Sequence, residues 1–396
     1  MRTSAKTLHF PLAGLDRSRS YRVATTPSEE RIYATPIAMN VRGTDVFSGR
    51  YRGGSRPGLK KVSISNAPEI YTKPTTIYRG RKIYADGKLW YASRSGDITD
   101  FNVSGDGDDP SRPAMGKLGF ASVNDAEDIT AVFSIPNKTL FMATKRSTWA
   151  IEGDVTDGPL TRMAEYVGVI SKDAWAYDGS VLYLVSSNGV YAYAQGQGFV
   201  KASDNVPNEI AAITEALCAY DPEHHALHIF TDKGDWYFDI TSKAWWPQKY
   251  DTFYRPKARA TTVVDGAHKL ALLGNDGTWR VFDSDSTERV VSYVAIGPIR
   301  TSAREDMDGL LNELAATLAK DSSLVELTVH TGKTAEDSID AANLGVVAWS
   351  YIVTGGNNYK MRPRVRGSWV TILMKSQGAW AFESMTAVTK ALGGLR

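Results

Sequence analysis

His224 and His228 stand four residues apart, the spacing at which two imidazoles on one helix face hold a zinc ion beside a glutamate base. No HExxH glutamate lies between them, and the run HALHIF alternates as a strand does. A strand would separate the two rings by about 13 Å along one face, so no zinc site is expected there. Asp106, Asp108 and Asp109 cluster with Gly105 and Gly107 in SGDGDDPSRP. A calcium-binding EF-hand loop spreads its ligands more widely and closes with a glutamate between two helices. Neither feature is present, and the cluster reads as an exposed polar turn. GDVTDG and DSDST read as turns too. No nucleophile elbow, phosphate-binding loop or dinucleotide fingerprint occurs. Glycoside hydrolysis needs two facing carboxylates, which distant segments can supply. Here the acidic residues fall mainly in turns, and none recurs at an inner strand position. No catalytic residue, metal ligand or cofactor is assigned, and the chain is expected not to be an enzyme.

Composition narrows the remaining classes. The formal charge of +2 gives no global pull toward nucleic acid, and the basic patches lie apart from the aromatic-rich segments. A single cysteine, Cys218, excludes an intrachain disulfide framework. It sits in the apolar run AAITEALCAYD and is expected to be buried and unreactive. The first twenty residues lack the apolar segment of a secretory leader, and no apolar run is long enough for a membrane-spanning helix. A reducing compartment is the expected site of folding.

The elements that would position any chemistry show a five-fold recurrence. An apolar strand, a tight turn and a second strand opened by an aromatic repeat at Leu89, Leu140, Leu182, Leu227 and Leu270, at intervals of 51, 42, 45 and 43 residues. A period near 45 with strand alternation predicts an all-β chain built on a β-propeller of five to six blades, six favoured. Trp149, Tyr191, Trp236 and Trp279 open the second strands and are read as structural blade aromatics. The first copy offers only Phe101 in that role. Asn188-Gly189 and Asp276-Gly277 are hairpin signals. With 34 glycines, 16 prolines, 42% hydrophobic and 23% charged residues, the 396-residue chain is that of an ordinary folded protein rich in turns.

Three domains are expected: residues 1–75, an irregular segment contributing strands to the propeller; 76–290, the propeller core; and 291–396, a small β-sandwich-like domain. Within the last, 310–320 reads equally as helix or strand, and strands are expected at 324–330, 349–353, 369–374 and 380–388. Two basic segments stand out as surface contacts with another subunit or partner. One is YRGGSRPGLK with Arg52 and Arg56, together with Arg50 just before it. The other is KMRPRVR with Lys360, Arg362, Arg364 and Arg366. A guanidinium fork matches a carboxylate in two places, which suits such contacts. Trp245 and Trp246 in KAWWPQKY offer possible ligand stacking, with packing into the core the preferred reading.

Four stretches carry a family likeness: RGGSRPG at 52–58, ATKRSTWAIEGD at 143–154, the segment 167–189, and 330–337 together with 362–383. On these the chain resembles tailed-bacteriophage virion structural proteins with a propeller and a C-terminal β domain, similar to podovirus tail tubular or nozzle proteins. The resemblance implies a nozzle-like or adaptor-like subunit of the tail or head-tail connector. It would belong to a homo-oligomeric, hexameric ring around the DNA exit channel, assembled in the host cytoplasm and carried in the virion. Its partners would be portal, adaptor or tail proteins, with double-stranded DNA passing only in transit. The alternatives are a carbohydrate- or receptor-binding propeller and a glycan-cleaving propeller enzyme.

Overall fold

The computed structural model describes residues 3–16, 34–64, 71–104, 107–118, 127–135, 138–204, 206, 210–302 and 307–394. The chain divides into two compact units. Unit 1 is Met1–Val62, Asp235–Asp251 and Thr278–Arg396; unit 2 is Ser63–Gly234 and Thr252–Gly277.

Unit 2 is built from local antiparallel pairing. Three four-stranded sheets follow one another: Thr75–Tyr78, Arg81–Asp86, Leu89–Ala92 and Ala114–Lys117; then Ala131–Ile135, Thr139–Ala143, Thr148–Glu152 and Leu160–Ala164; then Trp175–Tyr177, Leu182–Ser186, Gly189–Ala194 and Gly198–Lys201. Two hairpins, Ala216–Asp221 with Ala226–Thr231 and Pro256–Val264 with Ala267–Gly274, add to them. Buried apolar residues of successive sheets meet, as where Ile83 and Trp90 join Val132, Leu140, Met142 and Trp149 in one cluster. Phe133 of the second sheet stacks on Trp175 of the third at 4.9 Å.

The recurrence read from sequence is present at this level, but its phase differs in the first copy. Leu140 and Leu182 lie on the second strand of their sheets, whereas Leu89 opens the third. The aromatic matching Trp149 and Tyr191 is therefore Trp90, not Phe101. The longer first interval comes from the insertion between Ala92 and Ala114. The hairpin signals are each displaced by one residue. Ser186 pairs with Gly189 across Ser187-Asn188, and the Gly277 N–H donates to the Gly274 carbonyl across Asn275-Asp276. In both, glycine occupies the fourth turn position, with φ of 142° and 74°, where left-handed backbone costs it little.

Unit 1 contains two five-stranded sheets. In the first, Thr3–Leu8 pairs with Phe382–Gly394, which pairs with Met307–Leu318, which in turn pairs with Gly356–Met361 and Val365–Gly367. The second runs in the order Ala38–Met39, Ser292–Arg300, Trp369–Ser376, Val325–Gly332, Trp349–Val353. Shorter pairings join Val41–Thr44 to Tyr51–Ser55, Asp235–Asp239 to Ala244–Gln248, and Gly58–Lys61 to Trp279–Asp283. The segment that read as helix or strand is the strand Met307–Leu318. A register shift between Leu311 and Glu313 changes its phase, so Leu311 and Leu314 are both buried although three residues apart. A bulge thus imitates the helical spacing.

The expected six-bladed propeller followed by a β-sandwich is corrected by these sheets. They are multiple and open, and no closure of strands into a propeller is found among the described residues. Hairpin periodicity fixes local sheets; it does not specify ring closure, which depends on distant pairing. Residues 291–396 do not form their sheets alone either, because Thr3–Leu8 and Ala38–Met39 supply edge strands to them. Nor is the chain wholly β. Helix α1, Ala335–Asn343, begins with a capping box in which Thr334 Oγ1 accepts the Asp337 N–H and Asp337 accepts the Thr334 N–H. Its Ile339 and Ala342 pack with Ile37 and Ala295. The Thr-x-x-Asp signature was legible in the sequence. Thr334→Ala is expected to lower the unfolding free energy by about 1 kcal/mol, measured by urea titration.

Candidate functional site

The segment YRGGSRPGLK folds as two short strands whose glycines permit close packing. A Cβ on Gly53 would lie 2.1 Å from the Phe10 ring, and one on Gly54 would lie 2.3 Å from the Trp380 carbonyl. Its two arginines and Arg50 just before it have different surroundings. Arg50 is exposed, and its backbone N–H donates to Asp45 at 3.0 Å. Arg52 is half-buried, with Nε 2.8 Å from Asp45 and a second contact to Glu383. Arg56 is buried over the Tyr250 ring, 4.5 Å from its centroid. Its Nη2 reaches Glu288 at 3.0 Å and the Lys249 carbonyl at 3.3 Å; Nη1 donates to the Pro57 carbonyl at 2.9 Å, and Nε to Asn40 at 3.3 Å. The Arg56–Glu288 pair lies in the wall of a cleft of about 440 Å³, which Ser284, Ser286, Arg289 and Gln377 also line.

Burial alone would raise the Asp45 pKa. The N–H of Ser48 and the Arg52 guanidinium, with help from the Ser48 hydroxyl and Phe47 N–H, outweigh it and hold this carboxyl below the usual range.

Sequence reasoning passed over Arg42. It is buried, with its guanidinium carbon 4.2 Å from the Tyr237 ring centroid and 4.7 Å from that of Phe282. None of its side-chain nitrogens has a hydrogen-bond partner among the described residues. The arginine in TPIAMNVRGTDV was its only sequence signal: one cation inside an apolar strand pattern.

The second basic segment is arranged differently. Met361, Pro363 and Val365 are buried, while Arg362, Arg364 and Arg366 are exposed. Arg366 is 3.2 Å from Asp308, yet its side chain remains 65% exposed. The backbone of Lys360 lies in the strand Gly356–Met361, and its side chain falls outside the described residues. Arg364 has φ 52°, a left-handed conformation uncommon for a residue with a Cβ.

The aromatics sit mainly inside. Trp149 and Trp236 are buried; Tyr191 and Trp279 are half-buried. Trp245 and Trp246 are fully buried, the first packed on Phe238 at 4.5 Å and the second near Phe10 at 5.8 Å. Neither exposes a face to solvent.

His224 and His228 both approach Asp221, at 2.8 and 3.5 Å. Burial acts to raise the Asp221 pKa, but the hydrogen bonds from both imidazoles reverse this and hold it far below the usual carboxylate range. Asp109 pairs with Arg94 at 2.8 Å, and Asp106 lies outside the described residues. No group of three or more metal-ligating side chains that could hold a metal ion is found among the described residues. Burial pushes the Cys218 thiol up to about 12.

No family model matches the chain, and no curated protein matches it. Among solved structures, the chain is similar to the extracellular domain of a B. thetaiotaomicron protein described as a hybrid two-component system. That match has 10% identity and a TM-score of 0.34, and covers 61% of this chain and 32% of that one. A second structure of that domain, described as a one-component system, matches at 11% identity and a TM-score of 0.33 over 60% and 32% of the two chains. Hsv2 of K. marxianus matches at 11% identity and a TM-score of 0.30, over 53% of this chain and 58% of that one. The chain thus spans about a third of the length of the first of these and under two thirds of the last. Likeness at such TM-scores defines neither a common fold nor a common function. The tailed-phage propeller is nonetheless corrected. Among the described residues the sheets are open and do not close into one. The reading as a virion nozzle or adaptor falls with it, as do the glycan-binding and glycan-cleaving propellers.

Two outcomes follow from the buried charges. Arg42→Met, which fills the same space without a charge, is expected to unfold at a urea concentration equal to or above that of the native chain, whereas Arg42→Ala leaves a cavity and unfolds about 2–4 kcal/mol earlier. Asp45 has a folded-state pKa below its unfolded value, so its contribution is fully present above about pH 4 and is lost as the pH falls through the folded value. Between pH 7 and pH 3, urea midpoints of Asp45→Asn are expected to fall less than those of the native chain.

Proposed function

We propose that this protein acts by contact and not by catalysis, and that Arg362, Arg364 and Arg366 form a cationic row that docks on an acidic surface of a protein partner. The observation that carries this reading is the left-handed backbone of Arg364 between two buried neighbours. A non-glycine residue in that region costs about 1–2 kcal/mol, and such strain collects at binding and switch sites. The anchored Pro363 and Val365 hold the guanidinium groups outward, which lowers the entropy lost when carboxylates engage them. Each planar fork matches a carboxylate in two places.

The test uses immobilised polyglutamate as the acidic polypeptide probe and a double-stranded DNA duplex as the competing polyanion. The native chain is expected to bind polyglutamate more tightly than DNA, with an affinity that falls as salt rises. Arg362→Ala/Arg364→Ala/Arg366→Ala is expected to lose at least tenfold while its melting temperature holds. Equal polyglutamate binding by the triple variant, or preference for DNA, overturns the reading. Arg364→Gly supplies a separate readout: it is expected to raise stability by about 1 kcal/mol while weakening polyglutamate binding.

A further inference from the structure

The strand Trp349–Val353 ends the second sheet of unit 1. One of its edges pairs with Val325–Gly332, and no strand pairs with the other among the described residues. Its side chains and the loop before it are unusually apolar for an open edge. Tyr351 is 51% exposed, Ile352 59% and Val346 60%, with Leu344 and Val347 exposed beside them. The loop is held in place: the Val346 N–H donates to the Ala341 carbonyl at 2.8 Å, the Val346 carbonyl lies 2.7 Å from His330 Nδ1, and the Ala348 N–H donates to the Val329 carbonyl at 2.8 Å. At the other end Asn358 ties down Thr354 through both its N–H and its carbonyl. Trp349 and Tyr351 stack at 5.8 Å on one face of the strand.

Proteins that stay monomeric blunt such edges with lysine, proline, a bulge or an inward-pointing charge. Leu344–Val353, LGVVAWSYIV, has no charged residue and no proline, and the pairing with Val325–Gly332 is regular throughout. An uncharged strip makes no demand for an oppositely charged partner. It is complementary to an identical strip, because each copy presents the same apolar side chains and the same unpaired backbone groups.

We infer that this edge pairs with its own copy, antiparallel about a two-fold axis through Tyr351, to form a homodimer. That register is the one that overlaps all five strand residues: Tyr351 faces Tyr351 of the second copy, Ser350 faces Ile352, and Trp349 faces Val353. Two-fold pairing uses the same surface on both copies and closes at two chains. The contact is small, so it belongs to the weak, reversible class of interfaces. The inference does not depend on the arginine row.

Sedimentation and light scattering of the full chain across a concentration series read the assembly directly. A rise from one chain mass of 43.4 kDa toward twice that value is expected, and Tyr351→Lys/Ile352→Lys is expected to remain at one chain mass with an unchanged circular dichroism melt. Oxidative crosslinking tests the register. Directly opposed residues bring their Cα atoms within disulfide range, so Tyr351→Cys is expected to form a covalent dimer. In the same register, Ser350→Cys places its two sulfurs' Cα atoms beyond the limit of about 7 Å and is expected to form none. The native Cys218 is buried and does not compete. A native chain that stays monomeric up to about 1 mM, a dimer that survives the double lysine change, assemblies larger than two, or crosslinking through position 350 in place of 351 would each overturn the pairing.

Discussion

A buried guanidinium needs compensation for the water it loses, and Arg56, which finds it in hydrogen-bond acceptors, imposes that condition on unit 1. Its acceptors come from far-separated parts of the chain: Asn40, the carbonyls of Pro57 and Lys249, and the carboxylate of Glu288. Glu288 in turn accepts the Leu59 N–H at 2.6 Å. Asn40 joins the same network, accepting the Lys249 N–H at 2.7 Å and donating to the Val291 carbonyl at 2.8 Å. These segments must be in register together, because removing one partner of a buried pair leaves a charge that costs about 3–5 kcal/mol.

Arg42 is accommodated by a second physical route. The faces of Tyr237 and Phe282 supply negative quadrupole to its guanidinium, where Arg56 has a carboxylate and one ring. The neighbouring arginine-glycine segment packs by close backbone approach: the Ser55 N–H donates to the Trp380 carbonyl at 3.0 Å, and Gly53 and Gly54 leave no side chain between the strand and Phe10 or Trp380. The arginine-glycine segment is thereby committed largely to internal bracing. The three arginines at 362–366 have the opposite arrangement, with apolar neighbours inward and charged groups outward.

What the amino-acid sequence determined by itself was local. Strand alternation and turn residues lie within a few positions of each other, so the hairpins of unit 2, the strand at 349–353 and the burial of Cys218 were legible without distant partners. The helix was legible as well, in the capping box at Thr334 and Asp337, although its Thr-Ala-Glu-Asp run was passed over. The basic character of both arginine segments could be read, but not which one faces solvent.

Tertiary structure decided the rest, because it turns on pairing across most of the chain. Thr3–Leu8 completes a sheet with Phe382–Gly394, and Gly58–Lys61 pairs with Trp279–Asp283; no periodicity encodes either partnership. Open sheets in place of a closed propeller follow from such pairings and not from the repeat length. The burial of Arg56 likewise depends on a glutamate 232 residues away, whereas Arg362 and Arg364 stay exposed because only their apolar neighbours are drawn inward. A charged side chain's fate is set by the acceptors that long-range folding brings to it, and those acceptors are not its sequence neighbours.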